Sequence, residues 1–393
     1  MEETIEKVVS ELRLDKSQWS LTKFGDVAIQ QKKSVDRDNT DLTRYAKGEH
    51  MGSEDLHLRE WGELNDEYLG PAFIRKFEEG DILYGSRRTY LRKVVIAPFE
   101  GITSNTTFVI KANEKRIDKR LLPFIMLSEG FTDNSIKNSK GSVNPYINWK
   151  DIANYEFLLP PKGQEAQLAE LLWAMDEVIE REREVLEKLN KSYNSLVDHM
   201  FSKRNKDWEY VPLGKIASIN KSSLNTKTNP EYEFKYLDLT SIIEPKVIGD
   251  LKTIKFSEAP SRAKRIVEDA SIILAMVRPY QKDFVYIESG NGIIASTGTS
   301  VISMHDKSLS KFVFHQFFSK RFINHCEDRM TGTSYPAITP KDVQEFKVSI
   351  PKDRNLILEV TGKLDKVDFA KSIIKAKISS SQTLQKSLIN QIF

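Results

Sequence analysis

A basic and aromatic segment, Tyr84–Lys93, contains the residue types whose chemistry is easiest to interpret. Its charged and aromatic side chains are those of Tyr84, Arg87, Arg88, Tyr90, Arg92 and Lys93. Arginine can donate two parallel hydrogen bonds to a phosphate or to a guanine edge, and tyrosine can pack on a sugar or on the thymine methyl group. The segment therefore predicts a contact with DNA, although a solvated basic hairpin would have the same composition.

A related pattern occurs later in the chain, where Val277–Lys282 keeps the Arg-x-Tyr pair as Arg278 and Tyr280. We expect Arg88, which is retained as Arg278, to anchor a phosphate, because a phosphate contact carries no sequence information and can be the same in both places. Arg87 is replaced by Val277 and is the better candidate for reading a base. The candidate DNA-contacting residues are Arg87, Arg88, Tyr90, Arg92, Lys93, Lys140, Arg278, Tyr280 and Lys282.

Motifs for catalysis are missing from the sequence. It contains no phosphate-binding Gly-x4-Gly-Lys-Ser/Thr loop and no Gly-x-Gly-x-x-Gly motif after a strand. Asn144-Pro145-Tyr146 is similar to a truncated Asn-Pro-Pro-Tyr motif of adenine methyltransferases, but the second proline is absent and no glycine-rich loop precedes it. We interpret it as a structural turn. Five of the six histidines, His50, His57, His305, His315 and His325, lack metal-ligand spacing and are expected to be surface or core residues.

The elements that position the basic segments belong to a unit that occurs twice. Trp19-x4-Phe24-Gly25 returns as Trp208-x4-Leu213-Gly214, and Gly141-Ser142-x-x-Pro145 returns as Gly332-Thr333-x-x-Pro336. The distance in sequence between matching residues stays at about 190 along the whole chain. Each unit begins with short apolar runs broken by Gly, Pro, Asn and Ser, which predict a mixture of strands and helices.

Each unit ends in a long proline-free segment that follows Leu159-Pro160-Pro161 or Ile350-Pro351. Apolar residues at alternating four- and three-residue spacing predict two long helices that pair as a coiled coil. Glu182 interrupts the first pattern, and Lys371, Ser381 and Gln385 interrupt the second. The first pattern continues to Leu196 and Met200. The seam residues proposed to support subunit binding are Leu172, Met175, Ile179, Leu186, Leu189, Leu364, Val367, Ile374 and Ile378.

The charges of these two segments are opposite. Lys162–Phe201 has five Lys/Arg against nine Asp/Glu, whereas Lys352–Phe393 has eight against four. Pairing of the two helices would explain this complementarity, although solvated faces alone could give the same counts.

Composition limits the remaining classes of protein. A length of 393 residues suits two domains with connecting elements. The single cysteine, Cys326, excludes an intrachain disulfide and fits a reducing cytoplasm. Met1–Lys7 is too acidic and polar for a signal peptide, and no apolar run is long enough to span a bilayer.

With these motifs in place, the chain resembles the specificity (S) subunits of type I restriction-modification systems, the HsdS family, over essentially its whole length. The resemblance rests on Asp81–Tyr90, Lys140–Ile147, the Leu159-Pro160-Pro161 helix start, Trp208-x4-Leu213-Gly214 and Ile392-Phe393. It implies two target-recognition domains of mixed α/β fold in tandem, 1–160 and 204–351. Each is followed by a conserved helical spacer, 161–203 and 352–393, and the two helices form an antiparallel coiled coil.

The resemblance also implies a function. Each recognition domain reads one half of a bipartite, asymmetric target in double-stranded DNA, and the helices bind two methyltransferase subunits, to which restriction subunits add. The chain itself is then a non-catalytic cytoplasmic subunit without cofactors, because S-adenosylmethionine, ATP and Mg belong to the partner subunits. The second unit lacks the Gly-Ser-Arg-Arg run and diverges between Lys221 and Ala270, which weakens the transfer of residue roles there.

Two other classes stay open at this point. A coiled-coil adaptor protein would recruit protein partners without reading a DNA sequence. The remnant of a fused methyltransferase would bind S-adenosylmethionine by itself.

Overall fold

The computed structural model describes residues 14–37, 39–65, 68–202, 206–243, 246–247 and 251–393. The N-terminal segment Met1–Lys7, predicted not to be a signal peptide, lies outside these ranges. The chain divides into two compact units, and each contains part of both long helices. Unit 1 comprises the described residues up to Glu184 together with Ala376–Phe393, and unit 2 comprises those of Val185–Lys375. The four-segment division derived from the sequence stays a prediction.

Unit 1 contains ten short strands. In chain order they are β1 (Ser20–Lys23), β2 (Ala28–Gln31), β3 (Arg44–Ala46), β4 (Gly62–Glu63), β5 (Phe73–Phe77), β6 (Ile82–Gly85), β7 (Val94–Ile96), β8 (Gly101–Ser104), β9 (Thr107–Ala112) and β10 (Glu156–Leu159). Strands β2-β9-β6-β7 form an antiparallel inner sheet. Strands β4-β3-β8-β5 form an outer sheet with one parallel pair, β3 and β8, and β1 pairs with β10.

The short helices of unit 1 are α1 (Phe24–Val27), α2 (Leu122–Leu127), α3 (Glu129–Lys137) and α4 (Trp149–Ala153). The Ser128 hydroxyl accepts a hydrogen bond from the Phe131 amide and so caps α3. The long helix α5 (Lys162–Phe201) begins after Pro160-Pro161, where proline is tolerated because the first amides of a helix have no partner inside it.

Unit 2 has twelve strands. They are β11 (Trp208–Pro212), β12 (Ala217–Ile219), β13 (Glu233–Leu237), β14 (Ile242–Ile243), β15 (Lys246–Val247), β16 (Thr253–Lys255), β17 (Ala263–Ile266), β18 (Ser271–Ala275), β19 (Phe284–Ile287), β20 (Ile293–Ser296), β21 (Thr299–Met304) and β22 (Lys347–Pro351). The inner sheet is β12-β21-β18-β19 and the outer sheet is β16-β13-β20-β17, again with one parallel pair, β13 and β20. Strands β11 and β22 pair as β1 and β10 do.

The helices of unit 2 are α6 (Leu213–Ile216), α7 (Ser310–Gln316), α8 (Lys320–Glu327) and α9 (Pro340–Glu345), followed by the long helix α10 (Arg354–Ile392). Apart from the additional strand pair β14 and β15, the order of strands and helices repeats that of unit 1, which agrees with the internal repeat predicted from the sequence. Among the described residues, no helix is both long and apolar enough to cross a membrane.

The inner sheet of each unit is buried on both faces. In unit 1, Ile82 and Tyr84 of β6 pack in the core formed with the helices, whereas Leu83 between them packs in the core shared by the two sheets. This separation follows from the period of two along a strand. In unit 2, Ile272 and Leu274 face the helices and Ile273 faces the outer sheet. Tyr84 is thus a core residue, and burial raises its pKa to about 12.

Both long helices contribute to the core of each unit. In unit 1, Leu168 and Leu172 of α5 belong to the same apolar cluster as Leu388 and Ile392 of α10. In unit 2, the corresponding cluster contains Tyr193, Val197 and Phe201 of α5 together with Ile357, Val360 and Leu364 of α10. The buried side chains near the end of α5 are therefore Val197 and Phe201, while the predicted seam residues Leu196 and Met200 are half-buried.

Candidate nucleic-acid interface

A short turn after the central strand of each inner sheet carries the predicted basic residues. In unit 1 it is a 3-10 helix, Thr89–Leu91, flanked by Arg88 at φ 51° and Arg92 at φ 50°. In unit 2 it is Pro279–Gln281, flanked by Arg278 at φ 50° and Lys282 at φ 60°. We call Arg88–Arg92 and Arg278–Lys282 the arginine turns. Left-handed backbone is unfavourable for residues with a Cβ, so its occurrence at both ends of both turns indicates a shared constraint.

A second loop lies against each arginine turn. In unit 1, Lys140 and Tyr146 exchange two backbone hydrogen bonds of 2.8 and 2.9 Å and close a loop that starts at Gly141, whose φ of +92° suits glycine. In unit 2, Thr331 and Ala337 exchange the same two bonds, each 3.0 Å, around Gly332 at φ +96°. We call Lys140–Tyr146 and Thr331–Ala337 the Gly-Pro loops. Asn144-Pro145-Tyr146 is thus part of a structural turn, as the sequence predicted.

Equivalent hydrogen bonds join turn and loop in both units. The Arg88 amide donates to the Pro145 carbonyl at 2.7 Å, and the Arg278 amide donates to the Pro336 carbonyl at 2.8 Å. The arginine side chains strengthen the contact, because Arg88 Nε donates to Asn144 Oδ1 at 3.2 Å and an Arg278 terminal nitrogen donates to the Ser334 carbonyl at 3.1 Å. The two elements form one surface in each unit.

The predicted DNA-contacting residues divide into two groups on this surface. The exposed ones are Arg87, Arg88, Tyr90, Lys140 and Tyr280, and Arg278 is half-buried. Lys140 lies 3.8 Å from the carboxylate of Asp151 and keeps much of its side chain exposed. These residues can meet a polyanion without rearrangement of the fold.

Arg92 and Lys282 support the turns instead. Arg92 donates to the Leu127 carbonyl and lies 2.8 Å from the Glu54 carboxylate, with only 12% of its side chain exposed. Lys282 donates to the Phe318 carbonyl at 3.1 Å, and burial lowers its pKa. Each of these carbonyls lies at the C-terminal end of the helical segment after the inner sheet, where a cation is favourable. We therefore assign Arg92 and Lys282 to the frame of the turn rather than to DNA. Lys93 is half-buried and donates to the Gly48 carbonyl.

The sequence-based candidates omit the tips of the Gly-Pro loops. Val143 is 89% exposed and Tyr335 is 73% exposed. The Arg278 guanidinium lies 5.1 Å from the centre of the Tyr335 ring. The signal in the sequence was the repeat itself, whose glycine and proline are kept while the two residues directly before the proline change.

A cluster of charged side chains ties unit 1 to its part of α5. The His57 imidazole lies 2.8 Å from the Asp176 carboxylate, and its hydrogen bond with Asp176 raises the pKa of His57. Of the groups in the described ranges, Asp55, His57 and Glu180 place ligand atoms within 4.8 Å of one another, which is close enough for a metal ion. Arg59 bonds to both carboxylates and Arg183 bonds to Asp55. Because arginine already neutralises these acids, we assign the cluster an ion-pair role.

We expect the His57→Gln substitution to flatten the pH dependence of the stability of unit 1. A raised pKa means that the contribution of His57 is fully present below its ordinary value of 6.5 and is lost as the pH rises through the raised value. As the pH rises across this interval, the melting temperature of the wild type should therefore fall more than that of the variant. His199→Gln, at an exposed position of α5, is the control and should keep the wild-type profile. Equal profiles for wild type and His57→Gln would contradict the assignment.

The seam residues proposed for subunit binding differ in burial. Leu172, Met175, Ile179 and Leu364 are already buried in their own units. Leu186, Leu189, Val367, Ile374 and Ile378 are half-buried. A partner subunit would therefore meet the outward faces of the helices, and the role of these nine residues in binding a partner stays a prediction.

Unit 2 contains a polar relay of two buried side chains and a half-exposed carboxylate, which the sequence did not indicate. The Tyr193 hydroxyl lies 2.7 Å from His315 Nδ1, and His315 Nε2 lies 2.8 Å from the Asp365 carboxylate. His315 is 1% exposed and Tyr193 is 3% exposed. Lys371 lies over the Tyr193 ring at 4.4 Å. The repeat offset aligns His315 with Phe124 and Asp365 with Trp173, two rings that pack edge to face in unit 1.

Comparison with known proteins shows which proteins this chain is similar to. Residues 16–191 match the family model of the type I restriction modification DNA specificity domain. The chain is 22% identical over 347 residues to the MjaVIII specificity subunit of Methanocaldococcus jannaschii, a match that covers 79% of this chain and 80% of that protein. It is 31% identical over 130 residues to the EcoDI specificity subunit of Escherichia coli, which covers 32% of this chain and 29% of that protein.

Solved structures share the fold. The S subunit of a type I restriction-modification system from M. genitalium is 15% identical, with a TM-score of 0.58 over 97% of this chain and 98% of that one. A chain from a study of complex assembly and conformational transition of the type I system is 16% identical, with a TM-score of 0.55 over 97% of this chain and 98% of that one. The sequence and structural matches agree with the predicted resemblance. The chain is therefore similar to the HsdS specificity subunits of type I restriction-modification systems over most of its length, and residues 16–191 match their DNA specificity domain.

Proposed function

We propose that this protein is the DNA sequence-specificity subunit of a type I restriction-modification complex, in which each unit reads one half of a bipartite target. The observation that carries the proposal is the surface built twice from an arginine turn and a Gly-Pro loop. A surface that only kept the chain soluble would not need four left-handed residues at matching places. Two copies of one frame with different exposed residues suit two different half-sites in double-stranded DNA.

The test is to assemble the chain with its methyltransferase subunits and to sequence the methylated DNA. The expected result is methylation at one bipartite sequence with a fixed spacer. An adaptor protein would give a complex without sequence-specific DNA binding. A methyltransferase remnant would bind S-adenosylmethionine without partners, whereas we propose that S-adenosylmethionine, ATP and Mg bind only to the partner subunits.

We further propose that α5 and α10 pair as an antiparallel coiled coil that holds two methyltransferase subunits, to which restriction subunits add in the cytoplasm. The two helices contact each other, and each unit combines one half of α5 with the opposite half of α10. Their opposite net charges, from five cations against nine anions and eight cations against four, also favour pairing. The chain then contributes recognition and assembly, and its partners contribute the chemistry.

Substitution of Arg88 and of Arg87 should separate phosphate contact from base reading. In the assembled complex, Arg88→Ala should weaken cognate and non-cognate DNA binding by similar factors and lower the salt slope by about one. Arg87→Ala should instead relax one position of the target, because a bidentate base contact discriminates by about 1–3 kcal/mol. Binding titrations at several salt concentrations measure both effects.

Arg120→Ala serves as the control for the loss of one exposed cation. Arg120 pairs with Asp118 and belongs to neither the arginine turn nor the Gly-Pro loop of unit 1. It should change neither the target nor the salt slope. A selective loss of cognate binding in Arg88→Ala, with an unchanged slope, would reverse the two assignments.

The length of α5 and α10 should set the spacer between the half-sites. Both helices run through both units, so an insertion in one helix alone would be opposed by the other. Four residues inserted after Glu184 and four after Lys375 add roughly 6 Å to each helix, or about two base pairs of DNA. Methylation sequencing should show a longer spacer with both half-sites unchanged. An unaltered spacer in a complex that still methylates would refute this model.

A further inference from the structure

The Gly-Pro loops combine a constant frame with variable tips. In both units the frame consists of a glycine at positive φ, a proline whose carbonyl accepts from the arginine turn, and a closing pair of backbone hydrogen bonds. Between glycine and proline, unit 1 has Ser142-Val143-Asn144 and unit 2 has Thr333-Ser334-Tyr335. The hydroxyl residue after the glycine is similar in both, so the difference lies in the last two residues.

These two residues are presented outward by the frame. All residues from Gly141 to Asn144 and from Gly332 to Tyr335 are exposed. The frame limits their motion, because Arg88 holds Asn144 by a hydrogen bond, and Arg278 holds the Ser334 carbonyl and lies over the Tyr335 ring. Ordering a tip before binding lowers the conformational entropy that binding must remove.

The chemistry of the tips suits a DNA groove. Neither tip contains Asp or Glu, so neither repels phosphate. Asparagine can donate to and accept from an adenine edge, and valine or tyrosine can contact a thymine methyl group. Tyr90 and Tyr280, which are 53% and 41% exposed on the adjacent turns, extend the surface in both units.

We propose that Val143-Asn144 and Ser334-Tyr335 are specificity-determining residues, each pair setting base preference within one half-site. The inference rests on the proposed function and adds the residues that distinguish the two units. In this assignment the backbone amides of Arg88 and Arg278, which donate to the Pro145 and Pro336 carbonyls, hold the loops in place whether or not the arginine side chain is present. Unit 1 and unit 2 read different bases at the place where the same loop meets the DNA.

Exchange of the tips tests the proposal. Val143→Ser with Asn144→Tyr gives unit 1 the tip of unit 2, and Ser334→Val with Tyr335→Asn does the reverse. Each variant is assembled with its methyltransferase subunits, and the methylated sequences are mapped. We expect each exchange to change base preference in one half-site by roughly 5- to 150-fold, with the other half-site and the spacer unchanged.

Tyr232→Asn is the matched control for Tyr335→Asn, because Tyr232 is an exposed tyrosine of another loop in the same unit. It should leave the methylated sequence unchanged. Thermal melting identifies a variant that fails to fold, and in that case the single substitution Asn144→Ala, which removes one exposed amide, replaces the exchange in unit 1.

The outcomes separate this inference from the proposed function. If the wild-type complex methylates no bipartite sequence, the proposed function fails. If it does, but the exchanged tips leave both half-sites unchanged, the tips do not determine specificity. Loss of complex assembly by folded tip variants would assign the loops to a protein partner and overturn the inference.

Discussion

Leu388→Ala should destabilise unit 1 by about 2–5 kcal/mol, although most of unit 1 precedes it by some two hundred residues in the chain. Leu388 is fully buried in a cluster with strands and helices of unit 1, so truncation removes buried methyl groups and leaves a cavity. Hydrogen exchange of the full chain should show faster exchange in β6 and β9, while β18 and β21 of unit 2 keep their protection.

The same substitution at two other leucines of α10 controls for the change of residue type. Leu358 is 69% exposed, so Leu358→Ala should have little effect on either unit. Leu364 is fully buried in the core of unit 2, so Leu364→Ala should reverse the pattern and deprotect β18 and β21. Deprotection of unit 2 by Leu388→Ala would contradict the division of α10 between the two cores.

His315→Phe should destabilise unit 2 by about 1–3 kcal/mol, because it leaves the buried Tyr193 hydroxyl without its partner. Phenylalanine is the residue at the equivalent place in unit 1, so the loss is one of hydrogen bonding more than of volume. Chemical unfolding monitored by hydrogen exchange in β18 measures the effect.

The double variant Tyr193→Phe with His315→Phe is the control for an orphaned hydroxyl. It removes both partners of one hydrogen bond, and we expect it to recover much of the stability that the single variant loses. Additive losses would show that packing, not hydrogen bonding, determines the cost.

The pH dependence of the stability of unit 2 is a second test of the same relay. The hydrogen bond with His315 lowers the pKa of Asp365 below its ordinary value of 3.8. The resulting stabilisation is present above 3.8 and is lost as the pH falls through the lowered pKa. The difference in stability between wild type and His315→Phe should therefore shrink in acid. A difference that does not change with pH would exclude Asp365 from the relay.

The sequence by itself determined the repeat and the prolines that precede the two long helices. Trp19 lies directly before β1, and Trp208 is the first residue of the equivalent strand β11. Pro160-Pro161 and Pro351 precede the two long helices. These signals are local, because proline restricts its own backbone and heptad spacing defines one face of a helix. The Gly-Pro loops were also predictable, since Gly141 and Gly332 occupy backbone conformations that favour glycine.

The roles of individual side chains were decided by the tertiary structure. Arg92 and Lys282 have the same sequence signature as Arg88 and Arg278, but each turns towards a carbonyl of its own unit. Composition cannot distinguish a cation that neutralises a helix end from one that meets DNA, because the distinction depends on which chain segment folds beside it.

The long helices illustrate the same limit on a larger scale. Heptad spacing predicted their length and most of their apolar face, although Val197 and Phe201 are buried near the end of α5 where Leu196 and Met200 were expected. This face is covered by different elements along each helix. Leu172 packs in the core of unit 1 and Val197 in that of unit 2, while Tyr193, His315 and Asp365 come together from three separate helices. A periodic pattern specifies which side of a helix is buried, and only the fold determines what that side is buried against.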